Sequence, residues 1–149
     1  MTVTLTFHGA AECVTGFCAR LQTDSATVLI DCGMFQGPKT LKALNYQDFP
    51  FDPRAVDAVL LTHAHLDHSG LLPKLVLVGF SGPIFATGPT RDLSRILLTD
   101  AGEIQESEVE HLNRRNQQRG RGPVEPIYTA RDVRPTLDLF PWPSGAGPH

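Results

Sequence analysis

The chain has 149 residues, 41% of them hydrophobic and 19% charged, with a formal net charge of -3. That composition is globular and excludes a disordered or strongly basic chain, so any attraction for nucleic acid must come from a local patch. No apolar run approaches the roughly 18 residues of a membrane-spanning helix, and no N-terminal block reads as a signal peptide. Cys13, Cys18 and Cys32 form no CxxC pair and suit reduced packing thiols in a cytoplasmic protein.

The first predicted element is a strand in which Val3, Leu5 and Phe7 alternate with Thr4, Thr6 and His8. After the Gly-bounded connection "GAAECVTGFC", the runs "CARLQT" and "TVLIDCG" read as a hairpin around Asp24-Ser25. Asp31 and Gly33 lie where its second strand ends. The stretch "MFQGPKTLKALNYQDFPFDPRA" is a Gly/Pro-punctuated loop with one short helical turn. Next come a buried strand, "VDAVLLT", a helix over "SGLLPKLVLVGF" with Leu71, Leu72, Leu75 and Val76 at helical spacing, and a strand, "GPIFATG". Pro73 suits the helix's first turn, and residues 56–87 form a strand-helix-strand unit with parallel strands.

A longer helix is predicted from Thr90, with Leu93, Ile96, Leu97 and Ala101 on its apolar face and a stripe that thins beyond Glu103. Acidic "EIQESEVE" precedes basic "RRNQQRGR", an order that suits a helix dipole and reads as a solvated helix and loop rather than a phosphate-binding edge. In "YTARDVRPTLDLF", Thr129 is an N-cap with Asp132 three residues on, and Val133, Leu137 and Phe140 share a face. Pro135 argues against that helix, because proline in a helix interior costs about 3 kcal/mol. The tail "PWPSGAGPH" is irregular, and no internal repeat is visible.

Between the buried strand and its helix, "LTHAHLDHSG" packs three of the six histidines and an aspartate into residues 63–68. His63 and His65, two residues apart after a strand, aim to the same side and can share one metal. Asp67 and His68 follow the turn and point to a second ion. Imidazole and carboxylate donors suit zinc better than calcium or magnesium, and a pair of ions about 3.5 to 4 Å apart can clamp the oxygens of a hydrolytic displacement. A polar surface loop would not need that density of imidazoles.

"HAHLDH", with "LLT" before it and "SG" after it, resembles the HxHxDH signature of the metallo-β-lactamase superfamily. "FHGAAECVTGFC", "LIDCGMFQG" and "PIYTARDV" resemble its β-CASP nuclease branch, which includes RNase J and the nuclease subunit of the cleavage and polyadenylation machinery. The similarity runs over roughly residues 2–140. It implies an α/β fold (α+β by some schemes), the N-terminal part of a metallo-β-lactamase αββα sandwich over residues 1–140, with 141–149 as a Pro/Gly tail and the β-CASP domain absent. It also implies that His63 and His65 bind a first zinc and Asp67 and His68 a second. Asp67 and His68 are the catalytic candidates, Asp67 orienting the nucleophile, and Asp31 holds the ligand loop by hydrogen bonds. His8 is expected near the same rim as a partly buried non-ligand, and His111 in solvent.

Family members carry a later histidine motif resembling "GHxxGS", a bridging aspartate, a β-CASP insertion and a closing C-terminal histidine; none of these motifs occurs in this sequence, and His149 in the tail is a poor substitute. A single weakly held ion is therefore expected in place of the family's two zincs. An apolar sheet face is expected to be left for a companion chain or a homo-oligomer to cover. The function implied is a zinc-dependent hydrolase of the β-CASP type that cleaves phosphodiesters of single-stranded RNA, catalytically incomplete in this chain. The alternatives are a non-catalytic truncated remnant or metal-binding module, and another hydrolase of the same fold acting on a thioester or lactam. Arg114, Arg115, Arg119 and Arg121, without interleaved aromatics, offer only a weak, sequence-blind phosphate contact.

Overall fold

The computed structural model of the chain describes residues 2–141; His149 and the tail beyond Pro141 lie outside them. In chain order the elements are β1 (Thr4–Gly9), β2 (Cys18–Gln22), β3 (Thr27–Ile30), α1 (Lys39–Lys42), β4 (Ala58–Leu60), α2 (Leu66–Ser69), α3 (Leu72–Leu77), β5 (Ile84–Phe85), α4 (Gly88–Gln118) and α5 (Val133–Leu137). Single 3-10 turns occupy Ala43–Tyr46, Pro53–Ala55 and Ala130–Asp132. One five-stranded sheet runs β1-β2-β3-β4-β5. Its first three strands are antiparallel and its last three parallel, as the hairpin and the strand-helix-strand unit require. The hairpin turns at Asp24-Ser25, where the Thr23 hydroxyl accepts from Ala26 N at 3.0 Å.

Strand alternation divides the sheet into two unlike faces. On the inner face Leu29, Val59 and Ile84 are fully buried against Leu72 and Leu75 of α3, Phe80 and Phe140. On the outer face the register aligns Leu5, Leu21, Val28 and Ala58 in one row, and Phe7, Ala19, Ile30, Leu60 and Phe85 in another. Leu5, Phe7, Leu60 and Phe85 there are 44–55% exposed. The uncovered apolar face expected from the sequence is thus present. A second, smaller cluster joins Leu98 and Ala101 of α4 to Tyr128 and Val133, with Met34, Ile127 and Leu137 packed against both clusters.

Three expectations are corrected. The stretch expected as a loop holds a helical turn, α2, so Asp67 and His68 sit on a helix; after a break at Gly70-Leu71 the helix expected over "SGLLPKLVLVGF" follows as α3, with Pro73 in its first turn as expected. Pro73 explains the break, because its ring excludes the carbonyl of Ser69 from a continuous helix and it has no N–H to offer it. On α4, Leu93 and Ile96 are exposed (46% and 60%), whereas Ser94, Leu98, Ala101 and Gly102 are buried. Side-chain size sets that seam. A Cβ on Gly102 would lie 2.6 Å from Ala130 N, so the segment before α5 approaches over small residues, and Ser94 satisfies its own hydroxyl on Thr90 O at 2.7 Å. Finally, Pro135 is accommodated in α5. It lies in the first turn, where its missing N–H has no helical partner, and the Thr129/Asp132 capping box precedes it.

Backbone bonds from two separate segments hold α2 in place. Phe17 N donates to Asp67 O (2.9 Å), Cys32 N to His68 O (2.8 Å) and Met34 N to Leu66 O (2.8 Å), while Leu71 N donates to Cys32 O (2.9 Å). Asp67 O and His68 O, which so short a helix leaves without an internal partner, are thereby satisfied, and Leu66 O accepts from Gly70 N as well as from Met34 N. Gly33 makes the approach possible, since a Cβ there would stand 1.7 Å from Asp67 O. Cys18 and Cys32 are free and buried beside this crossing. The Cys18 thiol's hydrogen bond and burial push the Cys32 thiol well up, leaving it a packing residue.

Two outcomes check this architecture. Leu98→Ala is expected to lower stability to urea unfolding by about 2–5 kcal/mol, and Ile96→Ala by less than about 0.5 kcal/mol; equal losses would mean that α4 is buried on the other seam. Gly33→Ala should cost at least about 1–3 kcal/mol through overpacking. Gly122→Ala, which meets nothing within 4 Å, should leave the urea midpoint unchanged.

Candidate metal centre

The centre forms where β4 ends. Beyond Leu60 the chain extends through His63 to His65, which precedes α2 with an extended ψ of 143°. Buried Ser69 holds this stretch flat by donating to Ala64 O at 2.8 Å. The rings of His63 and His65 meet edge-on, their centroids 4.9 Å apart, and His63 also lies 4.1 Å from His68. The extended stretch thus aims both histidines to one side, as the two-residue spacing predicts. One turn of α2 returns Asp67 and His68 to the same place, with His68 Nε2 3.6 Å from Asp67 Oδ2.

Asp31, 1% exposed, sits beneath the cluster at the end of β3. Its Oδ1 accepts from Thr62 N at 2.7 Å, and its Oδ2 from the Thr62 hydroxyl and from His68 Nδ1, each at 2.7 Å. With Nδ1 engaged, His68 can offer only Nε2, the atom that faces Asp67. Phe17 stacks on the other side of that ring at 5.4 Å and 23°. Asp31 has a φ of +60°, a left-handed conformation in which it can meet both β4 and α2.

Two overlapping groups bring ligand atoms within 4.8 Å of one another: His63, His65 and Asp67, and Asp31, His63 and His68. The first is open to solvent through exposed His65. The second is the hydrogen-bonded underside, in which Asp31 is already committed to Thr62 and His68. Asp67 falls in with His63 and His65 as well as beside His68, so the four predicted ligands converge on one small volume. A mixed set of imidazoles and one carboxylate, with its outer histidine nitrogen held by a buried acid, fits a divalent ion of the zinc type.

The remaining candidates lie elsewhere. His8 is half-buried against Phe51, with ring centroids 5.0 Å apart, and belongs to neither group. Burial and the nearby Arg20 charge hold its pKa below the ordinary value. His111 is exposed, as expected. Arg114, Arg115, Arg119 and Arg121 are exposed at the far end of α4 and the turn after it. Leu66 packs on the cluster containing Ala101, and Arg114 lies about 20 Å farther along the axis at the rise of an α-helix. Arg114 also pairs with Glu110. The arginine cluster is therefore not brought to the centre. Sequence alone assigns no role in the site to Thr62, Phe17, Ser69 or Gly33, although "LLT" and "SG" flank the motif and Gly33 follows Asp31 by two residues.

Comparison with known proteins agrees with this geometry. The family model for the metallo-β-lactamase superfamily matches residues 12–80. The chain is 52% identical over 98 residues to Ribonuclease TTHA0252 of Thermus thermophilus, covering 66% of this chain and 22% of that protein. It is 42% identical over 133 residues to the transcription termination factor FttA of Methanocaldococcus jannaschii, covering 89% of this chain and 19% of that one. It thus spans about a fifth of the length of these relatives. Among solved structures, a protein of unknown function from Enterococcus faecalis V583 aligns with a TM-score of 0.50 at 20% identity, over 69% of this chain and 29% of that chain. The matched span contains Asp31 and all of "HAHLDH", and on these residues the chain belongs to the metallo-β-lactamase superfamily, with relatives in its β-CASP nuclease family.

Proposed function

We propose that this chain carries the zinc-binding half of a β-CASP-type nuclease site directed at single-stranded RNA. The observation that supports this most directly is the grouping of His63, His65 and Asp67 within reach of one ion, with His68 Nε2 3.6 Å from Asp67 Oδ2 and held by a buried Asp31. The names of the relatives, a ribonuclease and a termination factor, favour RNA over a lactam or a thioester.

In this reading His63, His65 and Asp67 hold one zinc, and His68 with Asp67 faces a second position. Zinc bound there supplies a Lewis acid and an acidified water for phosphodiester hydrolysis. Asp67, grouped with His63 and His65, would orient the attacking water. His68, steadied by Asp31 and Phe17, keeps Nε2 directed into the site. Asp31 acts only through others: it holds Thr62 and His68 and so fixes the ends of the ligand loop.

A second reading, a metal-binding module without turnover, is favoured by the donor count. These 149 residues supply no "GHxxGS"-like histidine motif, so the polypeptide by itself is proposed to hold one zinc weakly and to turn over RNA poorly. The exposed outer rows of the sheet are the surface that a companion chain or a second copy would cover. Three free thiols suit a cytoplasmic protein, and among the described residues no helix is long and apolar enough to cross a membrane.

Metal analysis with an RNA cleavage assay separates the two readings. Up to one equivalent of zinc is expected, lost in His63→Ala and weakened in Asp67→Ala by no less than the roughly 10–100-fold that removal of an outer partner costs. Cleavage abolished by both substitutions would support the nuclease reading, zinc uptake without cleavage the module, and failure to take up any divalent ion would sink both. Replacing Arg114, Arg115, Arg119 and Arg121 by alanine should weaken RNA binding at low salt and leave it unchanged at high salt; equal binding by both proteins at low salt would exclude that contact.

A further inference from the structure

We propose that Thr62 is a positioning residue: its hydroxyl fixes His63 in the tautomer that carries the proton on Nδ1 and turns a bare Nε2 to the metal. The inference rests on the metal-centre reading above and adds to it a residue that the ligand motif does not contain.

Proton bookkeeping around one oxygen carries it. Thr62 Oγ1 lies 2.7 Å from Asp31 Oδ2 and 3.0 Å from His63 Nδ1. A hydroxyl has a single proton, and an ionised carboxylate can only accept, so a hydrogen bond between Thr62 and Asp31 consumes that proton. The shorter, charge-assisted bond takes precedence. Towards His63 the Thr62 oxygen then has only lone pairs to present. Nδ1 must therefore be the donor, and the one nitrogen left with a lone pair is Nε2. Although Thr62 is exposed as a residue, the acid that takes its proton is 1% exposed, so the bond between them is part-buried.

The two histidines of the underside are thus set by one acid in two ways. His68 Nδ1 meets Asp31 directly at 2.7 Å, while His63 Nδ1 meets it through the Thr62 hydroxyl. The indirect route has a physical reason. Asp31 Oδ1 is occupied by Thr62 N, and Oδ2 already serves His68 and the hydroxyl. With both oxygens so engaged, a second ring is kept from the carboxylate, and the hydroxyl relays its polarity one residue farther. Without the relay, His63 reverts to the preference of an imidazole in water, which places the proton on Nε2 and blocks the atom that the metal needs.

The test compares wild type with Thr62→Val, which removes the hydroxyl but keeps the backbone bond from Thr62 N to Asp31, and Thr62→Ser, which restores the hydroxyl. Long-range nitrogen-proton correlation in the metal-free proteins reads the tautomer, with His63 assigned through His63→Ala. Zinc affinity is read by competition with a chromophoric chelator. His63 should be protonated at Nδ1 in wild type and Thr62→Ser, and should shift toward Nε2–H in Thr62→Val. His68 should stay unchanged in all three, showing that the loop is intact. Zinc affinity should fall about tenfold or more in Thr62→Val, in the range of other outer-partner losses, and recover in Thr62→Ser. An unchanged His63 tautomer in Thr62→Val overturns the inference, as does a shifted tautomer with wild-type zinc affinity. Absence of zinc binding in wild type removes the metal reading instead, and the metal-free tautomer comparison then decides alone whether Thr62 sets His63.

Discussion

The carboxylate of Asp31 is the constraint on which the site depends. It is buried with no lysine or arginine paired to it among the described residues, and its burial is tolerable because three donors converge on it, from Thr62 N, Thr62 Oγ1 and His68 Nδ1. Hydrogen bonds to a charged group contribute about 1.5–3 kcal/mol each, enough to offset the roughly 1–3 kcal/mol associated with a non-glycine residue at positive φ. The strained backbone brings the acid to both the end of β4 and the turn of α2. The histidine loop lies between those two anchors, so its shape follows from them.

A second, purely backbone framework works alongside it. α2 is a single turn and could not persist on its own hydrogen bonds, because nucleating a helix fixes several residues for little return. Here its carbonyls are taken by Phe17, Cys32 and Met34, from the approach to β2 and the exit from β3. The position of Asp67 and His68 is therefore set by long-range contacts with residues far earlier in the chain. The same glycine-enabled crossing places the Phe17 ring against His68, which links the opening hairpin to the orientation of a candidate ligand.

The molecule is asymmetric about its sheet. The inner face closes over α3, and the chain returns to it at the end, where Leu139 O accepts from Ile84 N at 2.9 Å and occupies a group on β5. The outer face keeps two aligned apolar rows. In the sandwich architecture of the superfamily, an apolar face of this kind packs against a second sheet. The histidine loop lies at the rim of that sheet, where β4 ends.

The ligand motif, the hairpin and the parallel strand-helix-strand unit were legible in the sequence because each depends on residues close in the chain. The two-residue spacing aims His63 and His65 together, and Asp24-Ser25 turns the hairpin. What escaped is what depends on distant partners. The seam of α4 follows Gly102 and Ser94 rather than Leu93 and Ile96, because the backbone around Ala130 approaches too closely for larger side chains. Pro135 is harmless only because the preceding turn moves it to a helix start, and Thr62 gains its place only when β3 delivers Asp31 beside it. The sequence by itself determined which atoms can bind a metal and in what local order. The tertiary structure decided which nitrogens of His63 and His68 are hydrogen-bonded and where the loop is anchored, because those depend on a buried acid brought in from another strand.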